Sequence, residues 1–380
     1  MRVNPLFLIL ALLHAYIGVR LLAPFSLPTQ LAGAALLVAS LVLMPRSFRV
    51  RENRGPWRIL LPWIVMGSFS WLFLLTVARD VLLAVSKLLL SPEAQFAWTR
   101  DSAVGVAAFT AVITLVGFFM ARRTAPVVEV EVAVEGLHKS LEGFTIVQIS
   151  DLHVGPTIKR PFVEKVVERV NGLSPDMVAI TGDLVDGTVT DLAHHTEPLA
   201  ELTSRHGTYV VTGNHEYYSG AHAWIRELRR LGTRVLLNEH VMLDHDGAAL
   251  AIAGVTDWSA HHFDPSHRSD PHAAALGMPE HATRVLLAHQ PRSAQHAAQA
   301  GYHLQLSGHT HGGQFWPWNF FVRLQQPFTA GLERVGRMWL YISRGTGYWG
   351  PPMRFGIPSE ITRITLVAGF ISSPPPRAHP

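Results

Sequence analysis

Two regimes of hydrophobic patterning meet near Ala125. Before it, apolar residues run in long blocks: Pro5 to Phe25, Leu27 to Met44, Ile59 through Val77 toward Leu90, and Ala103 to Met120. A helix needs about 20 predominantly apolar residues to cross the hydrocarbon core. Each block is near or above that length, so the pattern predicts an all-α bundle of four transmembrane helices over 1–123. The first block lacks a small-residue cleavage site and three more blocks follow, which argues against a signal peptide.

After Ala125 the pattern shortens and alternates. From Val127 to Val134 valines alternate with Glu129 and Glu131, a half-exposed strand. Shorter apolar runs at 144–149, 176–180, 208–211, 284–288 and 304–306 read as buried strands. Helices are predicted over 160–171, 191–204 and 221–231, the first with Val163, Val166, Val167 and Val170 on one face. A short strand is expected near Val235, and a hairpin at 241–243 and 249–253 around Asp246-Gly247. Closing strands are expected at 338–342 and 361–367. The whole reads as an α/β domain over 124–370, followed by a Pro-rich tail at 371–380 that is expected to be disordered.

Arginines set an orientation for the spans. The connection between the second and third blocks carries Arg46, Arg49, Arg51, Arg54 and Arg58; Arg122-Arg123 ends the fourth, and Arg2 precedes the first. The other two connections are poorer, with Arg20 in one and a mixed set of Arg79, Asp80, Lys87, Glu93, Arg100 and Asp101 in the other. The positive-inside bias therefore predicts a multi-pass cell-membrane protein with its amino terminus and its carboxy-terminal domain in the cytoplasm. Protease shaving of intact cells or spheroplasts is expected to leave that domain uncut, and its removal would overturn the orientation. Asp80 and Lys87, near the end of the third span, read as snorkelling or interfacial residues rather than a membrane relay.

Composition narrows the chemistry. The net charge of +4 owes much to arginines beside the apolar blocks, so no nucleic-acid stripe is read from it. The absence of cysteine excludes disulfides and thiolate ligands, while histidine is abundant at 21. Most of these histidines fall on loops. The informative ones follow strands.

The first strand runs into Ser150-Asp151-Leu152-His153, and an Asp-x-His alone is a weak signal. The same design recurs after four more strands: Gly182-Asp183, Gly213-Asn214-His215-Glu216, His289, and Gly308-His309-Thr310-His311. In α/β domains ligands collect outside the carboxyl ends of strands, and the glycines clear space for close backbone approach. Mixed oxygen and nitrogen donors suit Mn, Fe or Zn. The donors are too many for one ion, and two ions need a bridging carboxylate, for which Asp183 is the natural residue.

These motifs, in this order, resemble the signature of the calcineurin-like metallophosphoesterase superfamily over roughly 144–367. The tract 308–314, with Ser343-Arg344-Gly345-Thr346-Gly347 and Trp349-Gly350-Pro351-Pro352, resembles its membrane-associated YkuE- and YaeI-type branch. The resemblance implies a four-layer αββα sandwich with two mixed sheets face to face. It implies one divalent ion on Asp151, His153, Asp183 and His311, and another on Asp183, Asn214, His289 and His309. It implies hydrolysis of a phosphoester or pyrophosphate bond by a hydroxide bridging the two ions, with His215 stabilising the transition state or protonating the leaving group. Glu216 reads equally as support for a ligand histidine or as a helix-entry carboxylate, and Asp257 as site support or a turn residue. Arg344 is a candidate for a substrate phosphate, with a structural ion pair as the alternative.

The leaving group is not specified by these residues. Phe315-Trp316-Pro317-Trp318-Asn319-Phe320-Phe321 is an aromatic stretch that reads either as a packed segment or as an interfacial patch, since Trp favours headgroup level. With four spans tethering the domain to the bilayer, a lipid-linked substrate is one expectation, and a UDP-diacylglucosamine pyrophosphatase one concrete version. A non-catalytic metal-binding scaffold is the reading from another class. A nuclease lacks a basic stripe, and a transporter lacks paired buried charges and inverted repeats. Oligomeric state is not readable.

Overall fold

The structure is a computed structural model that describes residues 5–49 and 56–369; Arg2, Arg51, Arg54 and the tail at 371–380 lie outside the described residues. The chain forms two compact units. One comprises the residues up to Arg122 together with Gly350–Phe355, the other Arg123–Trp349 and the chain from Gly356 onward.

In the first unit, α1 (Pro5–Leu22), α2 (Leu27–Leu43), α3 (Pro56–Ser86) and α4 (Pro92–Arg122) are each long and apolar enough to cross a membrane. Large apolar side chains such as Leu12, Leu36, Phe109 and Phe119 face outward, the arrangement expected of helices solvated by lipid. α4 starts earlier than the apolar block suggests. Arg79 and Asp80 lie within α3, and Glu93, Arg100 and Asp101 within α4, so the connection shortens to 87–91. Hydropathy follows side chains, whereas the backbone ladder continues until a cap stops it. Ser91 Oγ accepts from Ala94 N at 3.4 Å, and Pro92 occupies the first turn, where its missing N–H costs nothing.

The segment Gly350–Phe355 belongs to this helical unit. Met353, 2% exposed, sits over two glycines: a β-carbon on Gly67 would come within 2.9 Å of its Cε, and one on Gly117 within 2.7 Å of its Cγ. Arg354 N donates to Gly117 O at 3.0 Å, and Phe355 meets Trp71 edge-on at 5.5 Å. Glycine at these two helix positions lets a foreign backbone approach.

The second unit contains two six-stranded mixed sheets among the described residues. The strands are β1 (Val127–Val134), β2 (Thr145–Ile149), β3 (Met177–Ile180), β4 (Thr208–Val210), β5 (Arg234–Val235), β6 (Glu239–His245), β7 (Ala248–Gly254), β8 (Thr283–Leu287), β9 (Leu304–Ser307), β10 (Gly331–Val335), β11 (Met338–Ile342) and β12 (Ile361–Ala368). One sheet has the order β1-β12-β2-β3-β4-β5, with β2 through β5 parallel; the other has β10-β11-β9-β8-β7-β6, with β11, β9, β8 and β7 parallel. Helices α5 (Arg160–Asn171), α6 (Val189–Thr196), α7 (Asn214–Tyr218) and α8 (Ala221–Arg230) fall between strands of the first sheet or follow them. Helices α9 (Pro271–Ala275), α10 (Ala294–Gln299) and α11 (Trp318–Val322) accompany the second. The sheets meet face to face over Ile146, Met177, Tyr209, Ile252, Leu304 and Tyr341, all buried. Ala251, Leu286, Ala294, Ala297 and Leu340 form a second apolar layer on the other face of the second sheet. This is the αββα sandwich expected from the sequence. Its consequence is positional: the parallel strands of both sheets deliver their carboxyl ends to one edge.

Candidate metal centre

The five post-strand segments converge, and their backbones interlock. Asp151 N donates to Gly182 O at 3.0 Å, His153 N to Asp183 O at 3.1 Å, and Gly308 N to His289 O at 2.9 Å. Asp151, His153, Asp183, His309 and His311 all hold positive φ, between 51° and 72°. Such left-handed conformations are costly for residues with a β-carbon and cluster where the surroundings impose them for function. The glycines explain how the loops pass. A β-carbon on Gly308 would lie 2.0 Å from Ser150 Oγ and 2.2 Å from Asp151 Oδ2, and one on Gly213 would lie 2.2 Å from Asp183 Oδ1. A methyl at either position displaces a buried carboxylate.

Two sets of donors form around Asp183. Asp151, His153 and His311 bring one ligand atom each within 4.8 Å of one another, and so do Asp183, His289 and His309. Asp183 Oδ2 lies 3.1 Å from His289 Nε2 and 3.9 Å from His153 Nε2, between the two sets.

Tautomers turn this crowding into a test of fit. His289 Nδ1 donates to the Thr181 carbonyl at 2.8 Å, so in the neutral ring its Nε2 carries a lone pair. That lone pair faces Asp183 Oδ2 and, at 3.2 Å, His309 Nδ1. His153 Nδ1 donates to Asp186 Oδ1 at 3.0 Å, turning its Nε2 lone pair toward His311 Nε2 at 3.0 Å; the latter is 3.4 Å from Asp151 Oδ1. Asn214 Oδ1 is buried and accepts no hydrogen bond among the described residues, a costly state for a polar atom without a partner. Electron pairs aimed at one another need protons or cations between them, and oxygen and nitrogen donors in these numbers fit divalent cations.

The charges of these donors are strongly coupled. Burial alone would raise Asp183, but the charge and hydrogen bond of His289 hold it well below the ordinary carboxylate range. Burial would lower His289, and Asp183 reverses that, raising it well above the ordinary imidazole value. Burial and the charge of His289 together press His309 down to about 3. Asp151 is raised by burial, with the Asp183 charge adding to the effect over the opposing charge of His289.

Beside the donors stands His215. Its Nε2 is 4.0 Å from Asp183 Oδ2, its Nδ1 is 2.5 Å from Asp186 Oδ1, and its backbone N–H donates to Asp183 Oδ1 at 2.9 Å. Burial would lower it, but Asp186 and Asp183 raise it to about 9. The rings of Tyr218 and Trp349 flank it at 5.2 and 5.7 Å. Asp186 is the residue that strand-end reasoning passes over. It accepts from both His153 and His215, and although burial opposes ionisation, the two histidines bring it to about 2. The available signal was a second carboxylate three residues beyond Asp183 in the same loop, where a histidine with one nitrogen aimed at a cation needs an acceptor for the other.

The remaining candidates fall into place around this centre. Glu216 accepts from Asp183 N, Leu184 N and Gly213 N at 3.0, 2.7 and 2.6 Å, pinning one loop to the start of α7 as a helix-entry carboxylate. Asp257 accepts from Ser259 N and Oγ, as a turn residue does, and its carboxylate also takes both contacts from Gln290 Nε2, directly after His289. Arg344 Nε pairs with Glu360 Oε2 at 2.5 Å. In the aromatic stretch Phe315 is buried, whereas Trp316, Trp318, Phe320 and Phe321 are exposed.

The profile of the calcineurin-like phosphoesterase family matches residues 144–313. Over 331 residues the chain is 36% identical to a transmembrane protein with metallophosphoesterase domain from Danio rerio, covering 84% of this chain and 76% of that one. It is 42% identical over 272 residues to the Bos taurus protein of the same name, covering 68% of this chain and 61% of that one. It is 30% identical over 235 residues to the uncharacterized metallophosphoesterase YkuE of Bacillus subtilis, covering 59% and 79%.

Proposed function

The chain belongs to the calcineurin-like phosphoesterase family, and on that premise we propose a membrane-anchored phosphoesterase working with two divalent cations. The observation that carries this reading is the place of Asp183 Oδ2 between the donor sets of His153 and His289. One cation falls to Asp151, His153, Asp183 and His311, the other to Asp183, Asn214, His289 and His309, drawn from Mn, Fe or Zn by the donor chemistry. When bound, such ions acidify water and polarise phosphoryl oxygens.

The chain's own residues do the rest. Asp186 holds His153 in the tautomer whose Nε2 is a donor of electrons, and it holds His215 through Nδ1. The transferable proton of His215 is therefore on Nε2. Water adds to phosphorus and the bond to the leaving oxygen breaks; that oxygen takes the Nε2 proton, and the proton released by the attacking water passes to solvent, from which Nε2 is reprotonated. Arg344, steadied by Glu360, is the side chain we assign to a substrate phosphoryl oxygen. The catalytic unit faces the cytoplasm on the arginine bias of the spans, for which protease shaving is the check.

A lipid-linked phosphodiester or pyrophosphate is the substrate class we favour, supported by the exposure of Trp316, Trp318, Phe320 and Phe321 beyond the last candidate ligands and by four candidate spans. The full chain in detergent, stripped of metal and reloaded with Mn²⁺, should hydrolyse both a soluble and a bilayer-presented phosphodiester. Replacing Trp316 and Trp318 by Ala is expected to cut the bilayer rate by about tenfold through lost local concentration while sparing the soluble rate. Equal rates on both substrates, untouched by the replacements, would remove the lipid-linked reading. Inactivity with every divalent ion would remove the phosphoesterase itself.

A further inference from the structure

A polar cluster lies inside the helical unit. Tyr16 Oη and Arg20 Nε both donate to Asp80 Oδ2, each at 2.7 Å. Asp80 Oδ1 is buried and accepts no hydrogen bond among the described residues; Arg79 Nη1 is 3.7 Å away. Arg79 is 3% exposed and is held by three acceptors: the Arg20 carbonyl, the Thr99 carbonyl and Ser102 Oγ. These contacts join α1, α3 and α4. The Asp80 carboxylate, 21% exposed, has three partners in Tyr16, Arg20 and Arg79.

The cluster is not neutral. Two guanidinium groups face one carboxylate, which leaves a positive charge among apolar helices, where uncompensated charge is expensive. Beside it opens a cavity of about 460 Å³ whose lining includes Arg20, Arg79 and Thr99 together with Val19, Leu83 and Phe96. That volume is within the usual range of small-molecule sites. Arg20 lies in the last turn of α1, Arg79 seven residues before the end of α3 and Thr99 seven after the start of α4. Seven helical residues rise about 10 Å, so the cluster lies about two turns inside the ends of α3 and α4, near one end of the helices rather than at their middle. Of the arginine N–H groups, only Arg20 Nε and three on Arg79 are engaged among the described residues, so the remainder can meet an anion.

We propose that this cavity binds the phosphate of an anionic phospholipid. The guanidinium groups of Arg20 and Arg79 take the phosphate oxygens as paired N–H donors, and the acyl chains leave along Val19, Leu83 and Phe96. A net-negative lipid neutralises the cluster. A zwitterionic one brings its own cation and leaves the charge standing. The site lies at the end of the bundle away from Arg46, Arg58 and Arg122, and its lining comes from the helical unit alone.

Native mass spectrometry of the detergent-solubilised full chain titrated with phosphatidylglycerol, phosphatidylcholine or inorganic phosphate tests this. The wild type is expected to bind phosphatidylglycerol about tenfold more tightly than phosphatidylcholine, the scale of one charge-assisted hydrogen bond. Arg20→Gln, at a half-exposed side chain, should erase the preference with helicity and elution volume unchanged. Arg79→Lys should weaken it by removing the fork while keeping the charge. Arg46→Gln, at the other end of the bundle, should leave it intact. Equal binding of the two lipids, or an equal loss in Arg46→Gln, would overturn the proposal. Displacement of phosphatidylglycerol by inorganic phosphate at matching concentration would overturn the lipid as occupant.

Discussion

Asp183→Asn is expected to lower phosphodiester turnover by at least about 10³-fold and to leave the purified protein short of bound metal. The substitution keeps the side chain's size and the acceptor that takes the His215 N–H. It replaces one negative charge by an amide whose N–H groups point at electron pairs. Among the described residues, Asp183 Oδ2 is the carboxylate oxygen that lies 3.1 Å from His289 Nε2 and 3.9 Å from His153 Nε2. Metal acting as Lewis acid and water activator supplies several kcal/mol to such reactions, and each 1.36 kcal/mol is a factor of ten, which gives the size of the effect. Metal content by elemental analysis and kcat on a soluble diester are the measurements. A variant with full metal and ordinary turnover would show that the two donor sets do not work as one centre.

His215→Ala should separate chemistry from metal binding. Its Nε2 stands 4.0 Å from Asp183 Oδ2 with Nδ1 committed to Asp186, so the proton it can give sits on Nε2; the neighbouring carboxylates raise its pKa to about 9. Loss of a positioned proton donor costs about 10²–10⁴-fold in rate. We expect kcat to fall by that amount while metal content stays at the wild-type level. Substrates with acidic leaving groups should suffer least, since they need little protonation. A variant that loses its metals as well would place His215 among the ligands. One that turns over normally would leave the leaving oxygen to another donor.

Much of this was readable before any coordinates, for physical reasons that differ by element. Asp151, His153, Asp183, Asn214, His289, His309 and His311 could be singled out because each follows an apolar run, and parallel strands bring their carboxyl ends to a common edge. The four long apolar helices were legible because hydrocarbon thickness sets a length that composition alone can meet. The start of α4 was not, since its first turns carry Glu93, Arg100 and Asp101 and are held by backbone hydrogen bonds to which hydropathy is blind. β10 escaped because Gly331–Val335 pairs antiparallel with β11 and is only half buried, which leaves no continuous apolar run. Asp186 escaped because its role depends on two rings arriving from other loops. The partners of Asp80 escaped for the same reason: Tyr16 and Arg20 lie some 60 residues away in the chain.

The membership of Gly350–Phe355 in the helical unit has a practical consequence. Cutting the gene before Arg123 to obtain a water-soluble fragment would keep Pro351, Met353 and Phe355 but discard Gly67, Trp71 and Gly117, the surfaces that shelter them. The truncated product would present a greasy, unsheltered loop a few residues from Trp349, inviting self-association. Solubilising the intact polypeptide is the route that leaves this loop in its seat.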